Sequence, residues 1–474
     1  MTAPSSTQDP NPIATDNSQA ESLYEIHKKI TPRAVSGLFN TWRVLLVILT
    51  QAVFYGLPWL RWDERQAVLF DLGARKFYLF GWVFWPQDFI WLATLLIIAA
   101  LALFLFTAVA GRLWCGYACP QTVYTELFMQ IERWFEGDHK KQRKLDGMPW
   151  NGQKILRRGG KHLVWIVLAL WTGFTFVGYF TPIEILWQEL LHLDFGPWET
   201  FWILFYAVWT WGFAGFMREQ VCKYMCPYAR FQSVMFDPDT LIITYDYRRG
   251  EPRGARGKHV DAKAKGLGDC VDCGICVQVC PTGIDIRNGL QYMCIGCAAC
   301  IDACDQVMEK VGSPKGLVRY STQNAIDGKY PDREILRHTL RPRTLIYTVL
   351  LGAICAAFFY TLANRIPLQV DVIRDRVTLS REAPNGNIEN LYRLQIINMD
   401  GRPHRYRIAA TGIDGLRLNT ADEIEIAALG TTNINVVVEA PRLALSKPSN
   451  PIHFEVVSLD DPHITRKIKS SFLK

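Results

Sequence analysis

The 474-residue sequence lacks the motifs that most often direct a protein to nucleotides or nucleic acids. No G-x-G-x-x-G follows a predicted strand and no P-loop is present, which excludes the common nucleotide sites. The net charge of +7 comes without helix-turn-helix or zinc-finger spacing, so we expect no nucleic-acid partner. The nine histidines form no facing pair, which argues against a bis-histidine haem.

The N-terminus also lacks the apolar segment that follows a basic start in a signal peptide. Residues 1–37 are instead polar, with Ser, Thr, Asn, Pro and Gln and no apolar core. This composition predicts a disordered cytoplasmic tail.

Apolar residues are abundant after the tail, with 49% of the chain hydrophobic, and they gather in uncharged runs. Each run is near the length needed to cross about 30 Å of hydrocarbon. The runs are Val44–Leu60, Phe89–Ala110, Leu163–Ile183, Thr200–Met217 and Thr344–Ala363. They predict a multidomain membrane protein with an α-helical bundle of about five spans, four in a membrane core (38–240) and a fifth in residues 341–364.

Loop charges orient the predicted spans. Gly111–Lys161 carries ten Lys and Arg against five acidic residues, whereas Pro182–Thr200 carries four acidic residues and no Lys or Arg. Basic loops stay in the cytoplasm. We therefore expect a multi-pass protein of a bacterial inner membrane, with a cytoplasmic N-terminus and a periplasmic C-terminus. Membrane lipid is then one of its partners.

In residues 365–474 the pattern of apolar and polar residues changes to one with a period of two. Segments such as Leu391–Ile397 and Ile434–Val438 alternate between faces or run apolar, and turn residues such as Asp400-Gly401 separate them. Short strands between turns are typical of an immunoglobulin-like β-sandwich. We expect such a domain in the periplasm, where docking to a partner protein is its more plausible use than a purely stabilising one.

Eight of the thirteen cysteines lie between Cys270 and Cys304, within residues 241–340. Their spacing, C-x2-C-x2-C-x3-C given twice, is that of a bacterial two-[4Fe–4S] ferredoxin, in which the fourth cysteine of each run binds the other cluster. A zinc site or a disulfide scaffold fits this doubled pattern poorly. The predicted ligands are Cys270, Cys273, Cys276 and Cys304 for one cluster, and Cys294, Cys297, Cys300 and Cys280 for the other.

A second cysteine motif occurs twice in the membrane core. Cys115-Gly-Tyr-Ala-Cys119-Pro and Cys222-Lys-Tyr-Met-Cys226-Pro each begin five residues after an apolar run ends. The repetition predicts a tandem hairpin whose two copies end at the same membrane surface. Cysteines four apart share a helical face, and the proline should break the helix at the second cysteine.

These four cysteines predict one redox or metal site. Arg112, Arg218 and Lys223 could hold the thiols partly as thiolates. Soft thiolates suit Cu(I) or a further iron–sulfur cluster, and both options stay open. The alternative is that they pack as small apolar side chains, which we accept for the lone Cys355.

These motifs together resemble the FixG/RdxA/CcoG family, accessory proteins for the assembly of cbb3-type cytochrome c oxidase. Further similar stretches are Arg75-Lys-Phe-Tyr-Leu-Phe-Gly81, Trp85-Pro-Gln-Asp88 and Cys280-Pro-Thr-Gly-Ile284. The resemblance implies an oxidoreductase, a cupric reductase with copper as its substrate. It also implies a cytoplasmic electron donor, copper transport and chaperone proteins, and the oxidase assembly machinery as partners. The residues supply a matching route, from the two clusters to the Cys115/Cys119/Cys222/Cys226 site.

Two other functions are compatible with the same features. The chain could be a quinol-linked electron carrier to a periplasmic reductase, although no second cofactor site is evident near the outer face. It could also be a membrane redox or copper sensor that signals through its sandwich. Turnover separates these functions, because an enzyme reduces many Cu(II) ions per protein and a sensor does not.

The loop charges yield a topology prediction. A reporter that is active only outside the cytoplasm should be active when fused at Lys474, and inactive when inserted in the basic stretch at Lys141. Activity at Lys474 of a second reporter that works only in the cytoplasm would show that the five-span arrangement is wrong.

Overall fold

The computed structural model describes residues 29–257, 265–375, 380–419 and 423–474. They belong to two compact units, one within Met1–Val47, Gly111–Trp165 and Gly212–Asp332, the other comprising Ile48–Ala110, Ile166–Trp211 and Arg333–Lys474. The α-helices are α1 (Leu38–Gly56), α2 (Phe89–Ala110), α3 (Leu113–Tyr117), α4 (Pro120–Glu136), α5 (His139–Gly147), α6 (Gly152–Val177), α7 (Ile183–His192), α8 (Pro197–Thr210), α9 (Pro227–Met235), α10 (Tyr247–Gly250), α11 (Ile275–Gln278), α12 (Ala299–Val311), α13 (Gln323–Ile326), α14 (Ile335–Thr339) and α15 (Pro342–Ala363).

The strands among the described residues are shorter and form separate small sheets and one two-sheet domain. They are β1 (Arg61–Trp62), β2 (Arg65–Gln66), β3 (Val68–Asp71), β4 (Lys76–Leu79), β5 (Trp82–Phe84), β6 (Ile242–Tyr245), β7 (Val318–Ser321), β8 (Leu368–Arg374), β9 (Arg381–Glu382), β10 (Ile388–Asn398), β11 (His404–Thr411), β12 (Arg417–Asn419), β13 (Glu423–Ile426), β14 (Thr431–Ala440), β15 (Ser449–Ser458) and β16 (Thr465–Leu473).

Five helical segments of the described chain are long and apolar enough to cross a membrane, as predicted. They are Leu38–Trp59, Pro86–Ala110, Gly152–Val177, Pro197–Met217 and Pro342–Ala363. The last turns of the fourth, Trp211–Met217, are π-helical. Wider π turns are often found beside functional sites, and this one directly precedes the second cysteine motif.

The third apolar helix begins and ends earlier than the predicted Leu163–Ile183. Its basic first turns stay helical because their charges have partners: Lys154 Nζ donates to Met148 O at 2.5 Å, and Lys161 pairs with Glu136 at 2.6 Å. The helix ends at Val177 because the chain turns there before Pro182, the residue that precedes α7.

In the first unit, α12 packs on the antiparallel pair β6–β7, in which Ile242 lies opposite Ser321. The buried side chains of this core include Ile243, Tyr245, Ile286, Ile301, Met308 and Leu317. Cysteines of the ferredoxin-like segment, among them Cys276 and Cys304, pack at its edge. Apolar packing therefore fixes the loops that carry the cysteines.

Most of the predicted tail, residues 1–28, lies outside the described residues. The remainder, residues 29–37, is not a free tail. Arg33 N donates to Gln278 O (2.8 Å) and Lys29 pairs with Glu132 (2.7 Å). A polar composition suggested disorder, but these polar groups find partners in the same unit, and the segment is held against the ferredoxin-like module.

Buried charges tie this segment to the helices of the first unit. Glu132 is 1% exposed and pairs with Arg218 (2.7 Å), Lys29 and Lys161. Burial alone would raise the pKa of Glu132, but the three cations lower it to about 2. Because this pKa lies below the unfolded value, the carboxylate stabilises the fold fully above pH 4.5 and loses that effect as the pH falls toward 2.

The second unit contains a three-stranded antiparallel sheet, β3–β4–β5, that the sequence did not predict. Its strands are only three or four residues long, too short for a clear period. Both polar atoms of the neighbouring buried Gln66 side chain make hydrogen bonds. Its Nε2 donates to Val68 O and Gly178 O, both at 2.7 Å, and its Oε1 accepts from Ile183 N at 2.9 Å.

The C-terminal residues form the predicted Ig-like sandwich. One sheet has the order β12-β14-β10-β8, with β9 paired to β10, and the other has the order β13-β11-β15-β16. Fully buried side chains such as Tyr392, Tyr406, Phe454 and Phe472 fill the space between the sheets. Arg365 just before the sandwich pairs with Asp88 at 2.6 Å, and Lys76 Nζ donates to Leu429 O at 2.9 Å.

Glu132→Gln should lower the stability of the first unit by about 3 kcal/mol at pH 7, because it leaves buried cations without their carboxylate. The control is Glu309→Gln, which breaks an exposed pair with Lys315 and should change the stability by less than about 1 kcal/mol. Thermal unfolding in detergent, followed by circular dichroism, compares the two. Equal midpoints for both variants would contradict the role of the buried network.

Candidate metal centres

Two cavities in the first unit gather the cysteines of the ferredoxin-like segment. One, of about 380 Å³, is lined by cysteines from the first run together with the last cysteine of the second run, which are Cys270, Cys273, Cys276 and Cys304. The other, of about 340 Å³, is lined by Cys280, Cys294, Cys297 and Cys300, and also by Cys276. These are the crosswise sets predicted from the spacing, and the shared Cys276 makes the cavities neighbours.

The chemistry of these cavities fits iron–sulfur clusters. The thiols are free, and burial raises the pKa of Cys276 to about 11 and of Cys294 and Cys304 to about 12 each. Such thiols become thiolates only when a metal supplies compensating charge. In the described chain no group of three or more His, Cys, Asp or Glu side chains is close enough to hold a single metal ion. A four-iron cluster is larger than one ion, so its cysteine ligands stand further apart than the ligands of a single-ion site.

The two centres differ in exposure. The first cavity has one exposed cysteine, Cys273, whereas none of the four cysteines predicted for the second centre is exposed and Cys297 is buried. Arg287 flanks the first cavity and is held by Asp285 at 2.7 Å and by Asp272. The first centre therefore faces solvent and the second lies inside the unit.

Both C-x-Y-x-C-P motifs have the same local structure at their second cysteine. Cys119 is extended (φ −62°, ψ 128°) and α4 begins at Pro120; Cys226 is also extended (φ −77°, ψ 108°) and α9 begins at Pro227. The predicted helix break is confirmed, because the residue before proline avoids helical geometry. The prediction that both cysteines of a motif share a helical face was wrong, since Cys115 lies in α3, which ends before Cys119.

The structure brings the four motif cysteines into one neighbourhood. Burial is the largest cause that raises the pKa of Cys115 and Cys222 to about 12 each, and charge on the other motif cysteines adds to it. The Cys115 thiol donates to Gln232 Oε1 of α9 (3.4 Å), so the first motif contacts the helix that follows the second. Burial also raises the pKa of Cys119, an effect that backbone N–H groups at the start of α4 oppose.

A direct backbone contact joins the first motif to the second cavity. A Cβ atom on Gly116 would lie 2.8 Å from the Cα of Cys297, closer than real side chains pack. On the other side, Gly296 has φ +71° and its own added Cβ would meet Arg112 O at 3.0 Å. Tyr320 Oη donates to Gly296 O at 2.7 Å and holds the loop from behind. Sequence reasoning missed both glycines. Their only signal was a position next to a cysteine, Gly116 after Cys115 and Gly296 before Cys297.

The three predicted cations have different roles. Arg112 lies near the motif thiols, as expected, and its charge lowers the pKa of Cys115 and Cys222 against the effect of burial. Arg218 instead pairs with Glu132. Lys223 lies in the π-helical turn Val221–Met225 that carries Cys222.

A third cavity, of about 500 Å³, gives access to the thiol site. It is lined by Cys222 and by charged side chains of the same unit, among them Glu126, Glu219 and Arg43. The lining thus combines two carboxylates with two guanidinium groups, the second being Arg218, beside Cys222.

Three family models match the sequence. A 4Fe-4S dicluster domain matches residues 217–323, a 4Fe-4S binding domain matches 92–140, and an Ig-like fold at the C-terminus of FixG matches 358–474. The first two ranges include both C-x-Y-x-C-P motifs. The third agrees with the sandwich described above.

Known proteins match most of the chain. Protein RdxA of Cereibacter sphaeroides is 40% identical over 437 residues, which is 89% of this chain and 92% of RdxA. Nitrogen fixation protein FixG of Rhizobium meliloti is 38% identical over 434 residues, covering 85% of this chain and 82% of FixG. Among solved structures, a FixG-related protein from Vibrio parahaemolyticus covers 23% of this chain and 96% of its own, at 24% identity and a TM-score of 0.21. That score is too low to support a conclusion about the fold.

The crosswise cavities predict which cysteine substitution affects which centre. Cys304→Ser should alter the same signal as Cys270→Ser, and Cys280→Ser the same signal as Cys294→Ser, in redox titrations followed by electron paramagnetic resonance. Cys355→Ser, in the apolar helix α15, is the matched control and should leave both signals and the iron content unchanged. If Cys304→Ser altered the signal assigned by Cys294→Ser, the crosswise arrangement would be wrong.

Proposed function

Because the chain belongs to the FixG/RdxA family and is an iron–sulfur membrane electron-transfer protein, we propose that it is a cupric reductase that supplies Cu(I) for the assembly of cbb3-type cytochrome c oxidase. One observation supports this most directly. The first C-x-Y-x-C-P motif touches the loop of the second cysteine cavity through Gly116, with no side chain between them. Electron transfer requires such close approach, and copper chemistry requires the soft thiols that the motifs supply.

The eight cysteines that line the two cavities would hold the clusters. Two bound [4Fe–4S] clusters would supply the chemistry of taking up and releasing single electrons. The chain determines where this exchange happens: Cys273 faces solvent, where a donor protein can approach, and Cys297 lies buried beside the motif. Electrons would therefore enter near Cys273 and leave near Cys297.

The motif cysteines would bind the substrate. Because no three of the described His, Cys, Asp or Glu side chains are close enough to hold one ion, a pair of these four thiolates would hold the copper. A Cu(II) ion that reaches Cys222 through the adjoining cavity gains one electron and becomes Cu(I), and the thiolates are not consumed. Because these thiols are buried and have raised pKa values, copper binding releases their protons. Thiolate ligands favour Cu(I), so the site stabilises the product oxidation state until an acceptor removes the ion.

The setting of the reaction follows from the loop charges. The basic loop Gly111–Lys161, which contains the first motif, would lie on the cytoplasmic side of an inner membrane, and the sandwich would lie in the periplasm. Its partners would be a cytoplasmic electron donor, copper transport and chaperone proteins, and the oxidase assembly machinery. The sandwich would then dock to a partner outside the cytoplasm.

A second role for the thiol site has its own support. Both motifs lie within ranges that match 4Fe-4S domains, 92–140 and 217–323. Four cysteines could thus hold a third cluster, in which case copper would be reduced at its edge. Protein purified without air should contain about eight iron atoms if the site takes copper and about twelve if it holds a cluster.

The thiol site predicts non-additive effects on copper reduction. Cys115→Ser should abolish it as completely as Cys226→Ser, and the double variant should be no worse than either, because residues that act as one unit do not add. Turnover of Cu(II) with dithionite as donor measures this, and the signals of the eight-cysteine module should persist.

Three results would redirect the proposal. Independent stability losses of about 1–2 kcal/mol per cysteine, with unchanged turnover per folded protein, would make the cysteines packing residues. A quinone-dependent rate above the copper rate would favour an electron carrier. Fewer than one Cu(II) reduced per protein would favour a sensor.

A further inference from the structure

Arg112 connects three parts of the first unit. It follows the second apolar helix and is 5% exposed. Its Nη1 donates to the carbonyl oxygen of Tyr292, in the loop that leads to Cys294, and its Nη2 donates to the carbonyl oxygen of Ala229 in α9. One guanidinium therefore bonds to the loop of the second cysteine cavity and to the helix that follows the second motif.

The same guanidinium lies among cysteines of both sites. Burial lowers the pKa of Arg112, and negative charge on four nearby cysteines opposes this effect. These cysteines are Cys115, Cys294, Cys222 and Cys226. Three belong to the thiol site and one to the second cavity, so Arg112 stands between the two sites.

One N–H donor of Arg112 has no partner in the described residues. Its Nε–H is buried and makes no hydrogen bond there, and no carboxylate of those residues pairs with the guanidinium. A buried donor without an acceptor is unfavourable. Negatively charged sulfur in either site would supply an acceptor and a counter-charge.

The corresponding arginine of the second motif is used differently. Arg218 precedes Cys222 much as Arg112 precedes Cys115, but it pairs with Glu132 at 2.7 Å and donates to Gly215 O at 3.0 Å. Its charge is thus balanced by a carboxylate. Of the two arginines, Arg218 therefore stabilises the fold through Glu132, whereas Arg112 lies beside the thiols.

We propose that Arg112 is a positioning residue whose positive charge favours the electron-rich state of both the second cluster site and the thiol site. The proposal rests on the proposed function in one respect, that the thiol site binds copper. A positive charge stabilises the more negative, reduced state of a redox centre beside it, and in a buried position solvent and salt screen it little. Hydrogen bonds to the sulfurs act in the same direction.

The reduction of copper at the thiol site is a one-electron step. One electron supplied by dithionite reduces a centre in the module, and one electron converts Cu²⁺ to Cu⁺ at the thiol site, with no bond to carbon formed or broken. Arg112 takes no part in the exchange. Its charge makes the reduction of each neighbouring site more favourable.

The test compares Arg112→Gln, which removes the charge, with Arg112→Lys, which keeps it. The matched control is Arg230→Gln, which removes the same charge from an exposed neighbour of Ala229. The first readout is the reduction potential of the second centre, from redox titration followed by electron paramagnetic resonance. The second is the affinity for Cu(I), from titration against a coloured Cu(I) chelator.

Arg112→Gln should lower the potential of the second centre, leave that of the first unchanged, and weaken Cu(I) binding about tenfold or more. Arg112→Lys and Arg230→Gln should stay near the parent protein in both measurements. If Arg112→Gln fails to assemble the second centre, Arg112→Lys decides: assembly at the parent potential supports the role of charge, and loss of the centre in Arg112→Lys overturns it.

An unchanged potential in Arg112→Gln would also overturn the proposal. Failure of the proposed function looks different. If the parent protein itself binds no copper, the cupric reductase role fails, while the potential of the second centre still decides the role of Arg112.

Discussion

The contact between Gly116 and the Gly296–Cys297 backbone sets the geometry of the first unit. A methyl group at Gly116 would lie 2.8 Å from main-chain atoms that cannot move without moving a cysteine of the second cavity. Because main-chain atoms meet there, the distance between the two sites is fixed by the fold and not by a flexible side chain. Electron transfer falls steeply with distance, so a contact of this kind is a functional constraint as well as a packing one.

Several other features hold that contact in place. Asp302, between the cysteines of α12, accepts hydrogen bonds from Phe39 N (3.3 Å) and Asn40 N (2.7 Å) and thereby caps α1. Gln121 at the start of α4 donates to Phe213 O and Arg218 O, both at 3.1 Å, and so ties the first motif to the π-helical turns before the second. The helices and the ferredoxin-like module are joined by specific hydrogen bonds within the same unit. A rigid junction follows, in which neither motif can drift from the other.

The sequence predicts the parts of this protein that short-range patterns encode. The spacing Cys270–Cys304 separates the cysteines into two sets, and hydropathy locates five apolar helices, because both signals are local. It does not predict residues 29–37 as ordered, since their partners, such as Gln278 and Glu132, lie about 100 or more residues away along the chain. The sequence does not predict the role of Gly116 for the same reason, because the loop that it contacts, Gly296–Cys297, is distant along the chain. It places Arg112 near the motif thiols but does not predict its hydrogen bond to Tyr292 O, in the loop before Cys294.

The prolines after Cys119 and Cys226 also do more than end a helix. Each is the first residue of a new helix, so each motif places a thiol at a helix N-terminus, where unpaired N–H groups carry partial positive charge. Backbone N–H groups of Gln121 and Thr122 lower the pKa of Cys119 against the effect of burial. Two helix starts and the Arg112 guanidinium thus surround the thiols with positive charge in an interior that would otherwise keep them neutral. The proline after each second cysteine and the buried Arg112 therefore act in the same direction, since each places positive charge near the thiols.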